Sequence, residues 1–237
     1  AHAVTSPVFP LMTAPFYAAF GLRGLYVLPA IGFISALLGL TLIATRLGCG
    51  AVGSSVIWLG LAMSPLMFYG LEFWEHTVAA SLAYFGTGMF LSQKRGVLQM
   101  VASGALIGAA VVMRPEAVWY ATALLLADRC LPQRAGGSLV LAFLLGACLP
   151  LLPLLAYNAI HLGTLTGAHL GANIVHLDSG WLRTRVALAR EWLWPETRAA
   201  VAGVGLTLTA LALLSAAGTA GRTRRLVGLA GAVVLAL

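Results

Sequence analysis

Ser64-Pro65-Leu66-Met67-Phe68-Tyr69-Gly70-Leu71-Glu72-Phe73-Trp74-Glu75-His76 lies between two long apolar runs, and its reading decides the fold. It carries two of the seven carboxylates and one of the five histidines, spaced Glu-x-x-Glu-His. Around it polar groups are scarce: 60% of the residues are hydrophobic, 9% are charged, and the mean hydropathy is +0.95. A soluble domain carries about 25% charged residues, so the composition predicts a polytopic membrane protein. In that setting an ionisable residue at membrane depth is costly and marks a substrate or ion pathway. The stretch is therefore read as part of a polar site facing the non-cytoplasmic side.

Outward from this junction, apolar runs alternate with short polar breaks. Residues 1–23 hold three prolines within nine residues, which argues for a loop leading into a short helix. Spans are predicted at 24–44, 51–70, 77–92, 97–113, 117–127, 138–156 and 199–217, and an eighth begins after Arg225. Pro65 is expected to kink the second, and Pro150 and Pro153 interrupt the sixth. The run 117–127 is short for the ~20 residues a span needs. The expected fold is an all-α transmembrane bundle of seven to eight spans, a single domain over 1–237. An extracytoplasmic loop at 157–198 carries an interfacial helix at 181–194, where arginines face one side and leucines the other. The chain starts at Ala1 and stops inside an apolar run, so it reads as a fragment cut at both ends.

Charge sets the orientation. Alternation puts Arg46, Lys94, Arg95, Arg129, Arg134, Arg222, Arg224 and Arg225 on one side with only Asp128 opposing them. The six remaining arginines fall on the other face, four of them in the long loop, where the positive-inside rule discounts them, so the first side is read as cytoplasmic. The net charge of +7 is spread between apolar runs without a basic stripe, which excludes a nucleic-acid surface. Cys49, Cys130 and Cys148 have no metal-ligand spacing and read as reduced, structural thiols.

Three polar segments converge on the opposite face. Were 72–76 helical, Glu72, Glu75 and His76 would share one side, suited to acid–base work or to a divalent cation. A solvated hairpin tip is the bland alternative. Arg114-Pro115-Glu116 closes the fourth span: the planar guanidinium suits a phosphate, and Glu116 can orient it. A local salt bridge at a helix end is the competing reading. Tyr157, Asn158 and His161 lead out of the sixth span into a Gly- and Thr-rich segment whose amide, hydroxyl and imidazole groups suit a sugar. The histidine spacing there matches no zinc motif, so no metal site is assigned and a divalent cation is left as a possible cofactor.

These segments, in order, resemble the polytopic glycosyltransferases of the GT-C type: the bacterial relatives of dolichyl-phosphate-mannose protein mannosyltransferases and the lipid A aminoarabinose transferases. The matching stretches are Ser6-Pro7 through Gly21, Ser64-Pro65 through His76, Gly104 through Gly108 leading to Arg114-Pro115-Glu116, and Tyr157-Asn158 with its following loop. The resemblance implies transfer of a sugar from a polyprenyl-phosphate donor in the membrane to an extracytoplasmic acceptor, generally with inversion, in a bacterial inner membrane. It makes Arg114 the candidate for the departing lipid phosphate, and Glu72, Glu75 and His76 candidates for acceptor binding or metal support. The family's catalytic acidic residue lies in its first extracytoplasmic loop, expected ahead of Ala1, so no catalytic base is assigned. The alternatives are a transporter or flippase for a polar or lipid-linked solute, and a non-catalytic membrane subunit.

Overall fold

The computed structural model describes residues 7–49, 55, 58–61, 64–92, 94–129 and 135–165. Among the described residues the structure is all-α, without a strand. Helix α1 spans Val8–Phe20, a 3-10 turn covers Gly21–Tyr26, and α2 runs over Val27–Arg46. They are followed by α3 (Pro65–Gly70), α4 (His76–Phe90), α5 (Val97–Met113), α6 (Ala117–Arg129) and α7 (Gly137–Leu162).

Two helical runs are long and apolar enough to cross a membrane, Val8–Arg46 and Gly137–Leu162. The first is not one straight rod. Gly21 takes a φ of +59°, and a Cβ on Gly24 would overlap the Phe16 carbonyl, so α1 folds against the 3-10 turn before α2 begins. The second, α7, runs for 26 residues straight through Pro150 and Pro153. Each proline removes one N–H donor, and the Leu- and Ala-rich turns on both sides stay helical around it. Tyr157, Asn158 and His161 are consequently residues of α7 rather than of a loop, and the helix ends at Gly163 in the left-handed conformation.

The run expected over 51–70 is likewise broken. Ser64 is extended (φ −90°, ψ 163°), its Oγ accepts the Leu66 N–H at 3.2 Å, and Pro65 starts α3 instead of kinking a longer helix. A proline at the first helical position gives up an N–H that has no partner there anyway. The short run 117–127 is helical as far as Arg129. The expectations for 166–237, including the interfacial helix and the last two spans, lie outside the described residues.

Helix directions follow from residues that meet. Gly32 lies against Thr77 and Val78, Gly39 against Tyr84, and Gly88 against Leu42, so α2 and α4 run parallel. Gly104 touches Phe143 and Gly108 touches Ala147, so α5 and α7 are parallel too. Val78 clusters with Met113, and Phe90 with Met100, which makes α4 and α5 antiparallel. Backbones meet directly along the α5–α7 seam: a Cβ on Gly104, Gly108 or Gly146 would overlap the carbonyl oxygen of Phe143, Ala147 or Val101.

Hydroxyls bond across the α2–α4, α4–α5 and α4–α6 pairs. Thr77 donates to the Pro29 carbonyl at 2.9 Å, Ser103 to the Gly86 carbonyl at 2.6 Å, and Thr87 and Tyr120 share a bond of 2.6 Å. The described charged residues then fall at the two ends. Arg46, Lys94, Arg95, Asp128 and Arg129 stand at one, where Arg95 pairs with the fully buried Asp128 at 2.7 Å and lies over the Phe90 ring. The other end holds Glu72, Glu75, Arg114 and Glu116, and Arg23 lies on that side too, just before the start of α2 that Thr77 of α4 meets at Pro29.

Candidate functional site

At that second end the chain between α3 and α4 meets the chain between α5 and α6. Helix α3 stops at Gly70, whose missing Cβ leaves room for Phe33: a Cβ there would sit 2.9 Å from Phe33 Cβ. Leu71 to Glu75 then form an irregular turn, with Trp74 N–H donating to the Glu72 carbonyl at 2.8 Å. Glu75 immediately precedes the first residue of α4, where the positive end of a helix favours a carboxylate. Opposite it, Arg114 leaves α5 in an extended conformation (φ −139°, ψ 108°), and its carbonyl accepts the Ala117 N–H at 3.0 Å. The turn through Pro115 thereby turns the guanidinium towards the start of α4.

Arg114 is the hub. Its Nη1 donates to the His76 ring, 2.9 Å from Nδ1 and close against Nε2 as well. Nη2 pairs with Glu116 Oε1 at 3.3 Å. Glu75 Oε1 lies 3.9 Å from Nη1, a charge pairing too long for a hydrogen bond. Glu75 is 8% exposed and Glu116 49%, so the Glu116 contact is the one that water or a ligand can displace. An exposed ion pair contributes about 0–1 kcal/mol, which a bidentate phosphate contact can replace.

His76 can accept from Arg114 only when it is neutral. Burial first, and then the neighbouring guanidinium, lower its pKa from 6.5 to about 4, against an opposing pull from Glu116. Tyr69 stacks on the imidazole with ring centroids 4.2 Å apart and 20° between planes. Trp74 stands across both rings, 4.8 Å from His76 and 5.6 Å from Tyr69. Phe9 of α1 covers the turn through Phe73 at 5.1 Å.

Of the eight residues singled out from sequence, the fold gathers four: Glu75, His76, Arg114 and Glu116. Glu72 does not join them. The helix that would have aligned it with Glu75 and His76 is replaced by the irregular turn, and its side chain makes no hydrogen bond or ion pair among the described residues. Tyr157, Asn158 and His161 lie at the end of α7, and α7 runs parallel to α5 towards the same end. Their contacts are local: Tyr157 packs on His161 at 4.6 Å, and buried Asn158 donates to the Leu165 carbonyl at 3.3 Å. Asn158 thus ties the chain beyond Gly163 back to α7.

Tyr69 and Trp74 were missed as site residues. The signal was present in four aromatics within the seven residues from Phe68 to Trp74, beside the one histidine of the segment. Among the described residues no three His, Cys, Asp or Glu side chains gather as a metal-binding group. Cys49 and Cys148 are free thiols. No family model, no curated protein and no solved structure matches this chain.

Proposed function

We propose that the protein is a GT-C type membrane glycosyltransferase in which Arg114 grips the phosphate of a polyprenyl-phosphate sugar donor. The observation that carries this reading is the Arg114 guanidinium, held at a helix end among Glu75, His76 and Glu116, with one displaceable carboxylate partner. As the acceptor oxygen attacks the anomeric carbon, the bond to the lipid phosphate breaks and the phosphate leaves with the electron pair. A fixed cation beside the departing oxygens stabilises the charge that develops there. Neutral His76 accepts from Arg114 and keeps the guanidinium aimed, and buried Glu75 anchors it from behind.

The setting we infer is a membrane bundle of seven to eight spans with this site on the extracytoplasmic side, and several features support its membrane character. Only 17% of the most apolar window of α7 is buried, unlike the core helix of a soluble protein. Leu141, Leu145, Leu149 and Leu152 all project outward from it. Close glycine seams and interhelical hydroxyl bonds are how helices associate where lipid removes the hydrophobic drive. A transporter site would be sought near the bilayer midplane, whereas the described charges stand at the helix ends, which favours the transferase. What the resemblance assigns to an acidic residue of the family's first loop, deprotonation of the acceptor, is given to no residue of this chain.

The test is sugar transfer from a polyprenyl-phosphate donor in reconstituted membranes. Arg114→Ala should abolish it at unchanged expression and membrane insertion. Arg114→Lys should keep a fraction, since an ammonium supplies the charge without the planar fork. Full activity in Arg114→Ala would sink the phosphate role.

A further inference from the structure

The site as derived accounts for the donor's phosphate but leaves its sugar without a partner, although an exposed aromatic wall stands beside the guanidinium. We propose that Trp74 is the platform on which the donor's sugar ring stacks, making it a specificity-determining residue of the site; the inference rests on the phosphate reading of Arg114.

Trp74 is held in place, unlike a loose side chain at a membrane boundary. It stands nearly perpendicular to both rings of the Tyr69–His76 stack, at 88° and 68°, so one side of the indole is braced by that pair. Even so, 42% of Trp74 is exposed, leaving an open indole surface at the site. The same imidazole that braces the indole accepts from Arg114. Cation and indole therefore touch the same imidazole, so one glycosyl phosphate can reach both with its phosphate and its pyranose.

The chemistry matches on both counts. The C–H bonds on one face of a pyranose are weakly positive and pack against the negative face of an aromatic ring. The ring's hydroxyls need acceptors, and the half-exposed Glu116 carboxylate is the nearest one that Arg114 can release. A tryptophan serving only as a membrane-interface anchor would favour lipid in general. It would not discriminate between a lipid phosphate with a sugar and one without.

That difference is the experiment. The full chain in lipid nanodiscs is titrated with undecaprenyl phosphate, and with undecaprenyl phosphate carrying mannose, glucose or aminoarabinose. In the wild type at least one sugar should tighten binding relative to the bare lipid phosphate. Trp74→Leu should lose about tenfold for that sugar-bearing lipid, the scale of one aromatic contact, and distinctly less for the bare lipid phosphate. Trp74→Phe should retain most of the gain, and Arg114→Ala should weaken both ligands. Binding of the bare lipid phosphate with no gain from any sugar would overturn the platform while leaving the phosphate reading intact, and it needs no variant to fold. An equal loss for both ligands in Trp74→Leu would make Trp74 an anchor and likewise overturn it. Failure of the wild type to bind either ligand would overturn both.

Discussion

His76 shows how a single side chain can couple the site to pH. It immediately precedes the apolar stretch of α4 and receives a hydrogen bond from a cation, so protonating it places two positive charges in contact. Its folded-state pKa of about 4 lies below the ordinary 6.5. Between those values the unfolded chain binds a proton that the folded chain refuses. Stability should therefore fall as pH drops through that window and level off below it. Thermal unfolding of the solubilised full chain against pH should show this slope, and His76→Gln should flatten it; a slope of unchanged size in the variant would assign the titration to other groups. Neighbouring Glu72 carries the opposite lesson. Its spacing to Glu75 and His76 promised a shared helical face, but the five residues Leu71 to Glu75 are not helical, so the spacing had no helix to act through.

At the scale of elements, the position of Arg114 depends on α5 being a fixed post, and α5 is fixed by glycine. Along the α5–α7 seam Gly104, Gly108 and Gly146 bring backbone onto backbone, and any side chain there must push the helices apart. Gly104→Val or Gly108→Val should destabilise the solubilised protein by about 1–3 kcal/mol, the cost of overpacking a tight contact. Gly137→Ala is the control, because a Cβ there meets nothing within 4 Å. Equal unfolding midpoints for Gly104→Val and the control would show that the seam does not bear the packing. Two helix starts were legible in advance in different degrees. The Val97–Met113 helix appears with the bounds read from sequence, since Gly96 before it and Arg114-Pro115 after it are local stop signals. Ser64-Pro65 is equally local but was absorbed into a longer apolar run, because hydropathy alone does not register a helix cap.

Taken whole, the molecule sorts its described charges to two ends, with Arg46, Lys94, Arg95 and Arg129 beside Asp128 at one and the Arg114 group with Arg23 at the other. If the basic end is cytoplasmic, single cysteines introduced into a cysteine-free background should label from opposite sides. Glu116→Cys should react with an impermeant maleimide on intact cells, and Lys94→Cys only after permeabilisation; labelling of both from outside would refute the topology. By itself the sequence determined the helical character, the apolar runs and most helix bounds, because hydropathy, prolines and caps act over a few neighbouring residues. Tertiary structure alone decided which of the flagged residues meet. Arg114 and His76 are 38 positions apart. Their contact requires α4 and α5 to run antiparallel at one register, and that register is set by hydroxyl bonds and glycine seams between helices, which no local pattern encodes. The same packing left Glu72 outside the cluster, drew Tyr69 and Trp74 in, and gave Asn158 a local partner in the Leu165 carbonyl.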